Sequence, residues 1–433
     1  MTLPAEISTG GVRPLRGRLR LPGDKSISHR ALMFAALADG RSTITHLATG
    51  ADVHATRSAL EQLGVQVRHR GGTVVVRSAG VDGWSEPADV LDCENSGTTM
   101  RVLAGPLAGR PFLSVLTGDV SLRQRPMARV VRPLRAMGAH IDGRGDGSLA
   151  PLVIRGSSLQ GARHELSIAS AQVKSALLLA GLQARGTTEV VSPALSRDHT
   201  ERMLGALGAP LEHDGLTARV RAGAPQPFEL DVPGDPSSGA FFAVAAAITP
   251  GSDLVLEDMS ANPTRLGFVE VLQRMGADIE LHVKGEVVGE PVGDLRVRSS
   301  VLSGTTIAGD EIPSVLDEIP ALAIAAAFAD GVTDIRDAAE LVVKESNRIG
   351  TLEQELTELG IGVEARADGL SIRGGQPRHG QFKSHGDHRI AMALAVAGNA
   401  LDGESTVRGW RIVSSSYPEF AEDLARLTDT VTR

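Results

Sequence analysis

A chain of 433 residues, 42% hydrophobic and 22% charged, is long enough for two or three domains with a sizeable core, yet offers no run of about eighteen apolar residues to cross a membrane. Its formal net charge of −8 and 3% aromatic content exclude a general nucleic-acid binder, which needs a basic face and stacking rings, so any anion must be met by a local cluster. The single cysteine, Cys93, excludes an internal disulfide framework and a multi-cysteine metal site, and residues 1–11 lack a basic-then-apolar signal pattern, so a cytoplasmic protein is expected.

The first informative stretch is PGDKSISHR at 22–30. Gly23 permits a tight turn and Ser26 is expected to cap the helix that follows. The first-turn N–H groups and the helix dipole favour negative charge, to which Lys25 and Arg30 add positive charge. Alone, a lysine and a serine before a helix more often make an ordinary cap with a solvated lysine. The rest of the chain changes that balance.

Six times the sequence runs through an Ala/Leu-rich apolar helix, a glycine turn and a short strand rich in Val, Ile and Thr; the glycines are Gly40, Gly109, Gly186, Gly251, Gly331 and Gly403. An amphipathic second helix follows each strand, and five of these end in a glycine after Leu or Met: Gly64, Gly138, Gly208, Gly276 and Gly360. The helix starts keep step, with Ser170 to Arg197, Ser237 to Thr264 and Asp317 to Lys344 each 27 residues apart. A period of about seventy residues is too long for a solenoid and points to compact α/β units packed around buried helices. PGD recurs at 233–235, which splits the six units into three and three. The domains expected are 23–232, and 1–22 with 233–433. The last unit has a second helix at 418–427 but no strands after it, so the strand-like residues 12–21 are expected to complete it, the chain crossing between domains twice.

The buried helices begin at Ser26, near Ser96 and Gly97, at Ser170, Ser237 and Asp317, and near His388. Arg125, Arg197 and Lys344, with Arg348 a turn later, are expected in the first turns of second helices, where a cation opposes the dipole and calls for an anionic ligand or a carboxylate partner. For any single arginine, Arg125 or Arg348, an exposed ion pair is the commoner use. Asp317 can equally be a helix cap, and Glu345 a partner for a nearby cation. His385 and His388 have a spacing compatible with a metal, but no further ligand pattern accompanies them, and no metal is expected. GDKS lacks the upstream glycine of a nucleotide P-loop, and GRGDGS at 143–148 is a turn with no helix after it, so ATP and dinucleotide readings fail.

Eight motifs in order, PGDKSISHR at 22–30, NSGTTMR at 95–101, TGDVSLRQRPM at 117–127, SAQVKSALLLAGL at 170–182, SRDHTERM at 196–203, DEIPALA at 317–323, VKESNRI at 343–349 and GDHRIAMA at 386–393, resemble the 5-enolpyruvylshikimate-3-phosphate synthase (3-phosphoshikimate 1-carboxyvinyltransferase) family over essentially the whole chain. The resemblance implies an α/β fold of two domains, each of three βαβαββ units with buried parallel helices, an inside-out α/β barrel. It implies transfer of the enolpyruvyl group of phosphoenolpyruvate to the 5-hydroxyl of shikimate 3-phosphate with release of phosphate, a step of chorismate and aromatic amino-acid biosynthesis and the target of glyphosate. No cofactor is implied. A monomer is expected, with these two substrates as partners and neither nucleic acid nor membrane.

By the same resemblance, Lys25, Ser26, Arg30, Ser170, Gln172, Arg197, Asp317 and Lys344 serve shikimate 3-phosphate, and Lys25, Gly97, Arg125, Gln172, Arg348 and Arg389 serve phosphoenolpyruvate. Asp317, Lys25 and Glu345 are the implied catalytic groups, with Asp317 the base. Two positions depart from many members of the family: Ala171 stands where a second serine is usual, and Ser415 where some carry a lysine.

Two other readings compete. UDP-N-acetylglucosamine enolpyruvyl transferase shares fold and donor but usually carries a mobile-loop cysteine and an N-terminal lysine-asparagine motif, and this chain has neither. A non-catalytic repeat scaffold needs only ordinary caps. Isothermal titration separates the three: saturable binding of shikimate 3-phosphate is expected, and heat only with the UDP-sugar, or with neither ligand, excludes the first reading.

Overall fold

The protein is described by a computed structural model covering residues 3–428. Residues 1–2 and 429–433, within the expected spans 1–22 and 233–433, lie outside the described residues. The chain groups into two units: one of residues 23–232 with Glu286–Glu290, the other of residues 1–22, 233–285 and 291–433. Each has its own continuous apolar core. Among the described residues no helix is long and apolar enough to cross a membrane.

In the first unit the helices Lys25–Leu37, Gly97–Ala108 and Ala171–Gly181 are buried along most of their length. Stretches such as LMFAAL, VLAGPLA and ALLLAG carry no polar stripe to turn toward water, so burial on every side is the arrangement that suits them. Two of these helices pack so closely that a Cβ on Gly105 would lie 2.1 Å from the Ala176 carbonyl oxygen. The second helices are amphipathic: Ala128–Ala136 buries Val130, Val131 and Leu134 and exposes Arg132. The five glycines that follow the second helices have φ between 75° and 101°, the left-handed closing residue of a helix.

The sheets repeat one order. Leu113–Thr117 runs parallel to Leu91–Asp92 and antiparallel to Leu149–Arg155, which pairs antiparallel with His140–Gly143. Arg163–Glu165, Thr187–Val191, Thr217–Arg221 and Leu211–His213 follow the same scheme. The other unit contributes the buried helices Pro236–Ile248, Ile319–Ala327 and His388–Asn399 and three further sheets.

The ends of the units differ from expectation. Residues 12–21 do not complete the sixth unit: Arg16–Arg20 pairs in parallel with Asp253–Glu257 and opens the fourth sheet. The sixth sheet is closed by Glu6–Gly10, antiparallel to Glu404–Arg408, and has three strands among the described residues. Correspondingly, Glu229–Asp231 pairs in parallel with Thr43–Thr45 in the first unit. The strand before each PGD turn thus belongs to one unit and the helix after it to the other. The last second helix is Phe420–Thr428, two residues later than expected. Residues 286–290, expected with 233–433, form the tip of the hairpin Asp278–Val287 and Glu290–Arg298 and pack with 23–232. There Glu290 is fully buried with His199 Nδ1 2.8 Å from its Oε1, and a Cβ on Gly289 would lie 2.5 Å from the Arg202 carbonyl oxygen.

Candidate active site

In the first unit, the helix Lys25–Leu37 is capped by Asp24, whose carboxylate accepts from the Ile27 N–H at 2.8 Å. Ser26, expected as the cap, lies in the first turn, and its carbonyl accepts from Arg30 Nη1 at 2.9 Å. Gly23 has no left-handed φ; its role is close approach, since a Cβ there would lie 2.0 Å from the His46 carbonyl oxygen. Lys25 is not solvated: its side chain is 18% exposed and its Nζ lies 3.0 Å from Asp52 Oδ2.

Arg30 is buried and donates from Nε to Thr200 Oγ1 and from Nη2 to Ser175 Oγ, both at 2.8 Å. Burial lowers its pKa from the ordinary arginine range to about 10, with Glu201, Asp24 and Glu290 opposing that drop and the nearby Arg197 adding to it. The guanidinium therefore stays charged at neutral pH. Beneath it Lys174 and Glu201, each almost wholly buried, pair at 2.5 Å.

Gly97 is the first residue of the second buried helix, which Ser96 caps by accepting from the Thr99 N–H at 3.1 Å. A Cβ on Gly97 would lie 2.7 Å from Arg101 Nη1 and 3.5 Å from Arg125 Nη1. Arg101 Nη1 donates to Gln172 Oε1 at 2.8 Å, and Gln172 Nε2 to Thr98 Oγ1 at 3.0 Å. Arg125 donates to Asn95 Oδ1 at 2.7 Å and to Ser121 Oγ at 3.2 Å. Gly97, Arg125 and Gln172 thus form one cluster with Arg101 at its centre. Ser170 caps the third buried helix. Arg197 precedes the helix His199–Ala206 and lies near Arg30.

In the other unit, three cations converge on Asp317. Lys344 Nζ lies 3.1 Å and Arg348 Nη1 3.5 Å from its Oδ1; Arg389 Nη2 lies 3.8 Å from its Oδ2, and Arg389 Nη1 donates to its carbonyl at 3.0 Å. Asp317 is not a cap: the helix Ile319–Ala327 starts after Glu318 and has no side-chain capping bond. Arg348 is the first residue of the helix Arg348–Glu358, with Asn347 its cap. Its Nε donates to Asp387 Oδ2 at 2.8 Å and its Nη2 to Glu345 Oε2 at 2.7 Å. Burial alone would lower the Arg348 pKa, but Asp387, Glu345 and Asp317 outweigh it and raise it. Burial would raise the Asp387 carboxyl, and Arg348 reverses this and holds it below the usual carboxylate range. Asp387 also caps His388–Asn399, accepting from the Arg389 N–H at 2.9 Å.

The structure corrects other readings. Arg125, Arg197 and Lys344 precede their helices instead of occupying the first turn; only Arg348 does so, and its carboxylates answer the dipole. Arg125 and Arg348 are buried, not surface pairs. His385 pairs with Glu355 at 2.6 Å, and Ser415 Oγ donates to the Ile412 carbonyl at 2.8 Å. Cys93 is buried, which pushes its thiol far above the ordinary range, unlike a reactive loop cysteine. Sequence reasoning missed Asp52, Arg101, Lys174 and Glu201. Lys174 and Arg101 left a signal, each the one charge inside a buried helix.

The family model "EPSP synthase (3-phosphoshikimate 1-carboxyvinyltransferase)" matches residues 10–424. Similar proteins described as 3-phosphoshikimate 1-carboxyvinyltransferase include one from Synechococcus sp. (strain JA-3-3Ab), 53% identical over 96% of this chain and 95% of its own length. Another, from Geobacillus thermodenitrificans (strain NG80-2), is 49% identical over 99% of both. Among solved structures, an EPSP synthase from Acinetobacter baumannii superposes with a TM-score of 0.87 at 42% identity over 98% of both chains. The enolpyruvyl transferase NikO from Streptomyces tendae shares the fold at 19% identity and a TM-score of 0.78.

Asp387→Asn keeps a capping oxygen but removes the charge facing buried Arg348, so unfolding free energy is expected to fall by about 3 kcal/mol at pH 7 in urea titrations. Because the folded Asp387 pKa is depressed, its contribution is present above the unfolded value of about 4 and is lost as pH falls through the folded one. The difference between wild type and variant should therefore shrink below pH of about 4, and an equal difference at all pH values contradicts the charge pairing.

Proposed function

The chain belongs to the EPSP synthase (3-phosphoshikimate 1-carboxyvinyltransferase) family, and from that premise we propose how its own residues divide the transfer of the enolpyruvyl group from phosphoenolpyruvate to shikimate 3-phosphate. Lys25, Ser26, Arg30, Ser170, Gln172, Arg197, Asp317 and Lys344 take shikimate 3-phosphate. Lys25, Gly97, Arg125, Gln172, Arg348 and Arg389 take phosphoenolpyruvate. What supports the reading most is the meeting of Lys344, Arg348 and Arg389 on the single carboxylate of Asp317.

The chemistry asks for such a group. C3 of phosphoenolpyruvate must gain a proton while C2, becoming cationic, accepts the 5-hydroxyl oxygen; the tetrahedral intermediate then loses a C3 proton and expels phosphate. Asp317 is the base for the hydroxyl proton, and Lys25 and Glu345 handle the proton at C3. In the free protein Asp317 is held by cations. An incoming carboxylate that takes Arg348 Nη1 and the Arg389 guanidinium replaces it there and leaves Asp317 to accept the proton.

Asp317→Asn preserves shape and removes the base, so kcat should fall about 100-fold or more while shikimate 3-phosphate still binds. Near-normal turnover excludes Asp317 as base.

Gly97→Ala places a methyl group against the guanidinium of Arg101, the mobile end of a side chain, so folding should be spared and the pocket disturbed. The wild type is expected to be glyphosate-sensitive, and the variant to raise both the glyphosate inhibition constant and the KM for phosphoenolpyruvate, with shikimate 3-phosphate binding little changed. Unchanged inhibition with a markedly lower Tm assigns Gly97 to the turn alone.

A further inference from the structure

Behind Gly97 lies a buried chain of hydrogen bonds that none of the roles above uses. His29 Nδ1 is 2.6 Å from Thr56 Oγ1, which is 2.7 Å from Thr99 Oγ1; Thr99 Oγ1 donates to Ser96 Oγ at 2.8 Å. All four side chains are 1% exposed or less. They come from three different helices or their caps: Lys25–Leu37, Ala51–Gln62 and Gly97–Ala108.

The bonds have one consistent direction. Each hydroxyl has a single proton to give. If Thr99 gives its proton to Ser96, its lone pair accepts from Thr56, and Thr56 must accept from an Nδ1–H of His29. Burial, together with the charges of Lys25 and Arg30, keeps His29 neutral, as one tautomer requires. Among the described residues His29 Nε2 has no partner, so Nδ1 is the nitrogen that gains from carrying the proton. A run of short hydrogen bonds in a dry interior is rigid, and each bond polarises the next.

The chain ends at a place that matters. Ser96 is the cap whose backbone leads into Gly97. We propose that His29, Thr56 and Thr99 are positioning residues for phosphoenolpyruvate, fixing the Gly97 backbone through Ser96. This rests on the assignment of Gly97 to phosphoenolpyruvate above. None of the three touches substrate; they act by holding what does.

The test compares Thr99→Val, which keeps the shape and removes the hydroxyl, with Thr99→Ser, which restores it. Steady-state kinetics and thermal melts are measured on both, with Thr56→Val as a second break in the chain. Thr99→Val is expected to raise the KM for phosphoenolpyruvate about tenfold, with the KM for shikimate 3-phosphate within about twofold of wild type, and Thr99→Ser to recover most of the loss. Thr56→Val should show the same split, and decides the matter if Thr99→Val does not fold. A lower Tm with both KM values unchanged, a parallel rise in both, or a serine variant no better than the valine one overturns the proposal. Gly97→Ala run alongside separates the two failures: if it leaves the phosphoenolpyruvate KM unchanged, the assignment of Gly97 has failed, whereas a rise there with none in Thr99→Val sinks the hydrogen-bond chain alone.

Discussion

A helix buried on every side has no water for the N–H groups of its first turn, and this constraint shapes the whole molecule. Five of the six buried helices meet it with a side-chain cap: Asp24, Ser96, Ser170, Asp235 and Asp387. A cap fixes not only the first turn but the direction in which the next side chains leave it. Lys25, Gly97, Gln172 and Arg389 each follow a cap by one or two positions. The groups proposed to meet substrate are therefore aimed by the same bonds that let the helices be buried.

Charge is handled by the same economy. Cations placed at helix starts are unfavourable by themselves, and each unit answers them with carboxylates from neighbouring elements: Asp52 for Lys25, Asp387 and Glu345 for Arg348. Each pair neutralises its cation within the unit. A phosphate or carboxylate entering such a cluster exchanges one anion for another instead of stripping water from a bare cation, which lessens the desolvation cost of binding.

Much of this was legible in the sequence because it depends on local rules. Glycines closing helices, apolar helices alternating with amphipathic ones, and the 27-residue step between helix starts all register in one dimension. The sheet that each strand joins did not register. Arg16–Arg20 and Glu6–Gly10 are both short and strand-like, and which sheet takes which is decided by pairing with residues more than 200 positions away. Ser26 looked like a cap because serine is a good one, but Asp24 has the extended backbone and the oxygen within reach. Asp52 was invisible for a different reason: it matters through a partner on another helix, and it sits in no local pattern that marks it.

The exchange of strands at the two PGD turns has a consequence for the order of assembly. On the ribosome, Glu6–Gly10 and Arg16–Arg20 emerge before residues 23–232, yet their partners are Glu404–Arg408 and Asp253–Glu257. Everything needed for the sheets of 23–232 is made before either partner exists. Until then the two leading strands have open edges and nothing native to bind. Both strands carry polar or charged side chains over most of their length, with Leu19 the only fully buried residue of the two, so a long wait exposes little that would stick.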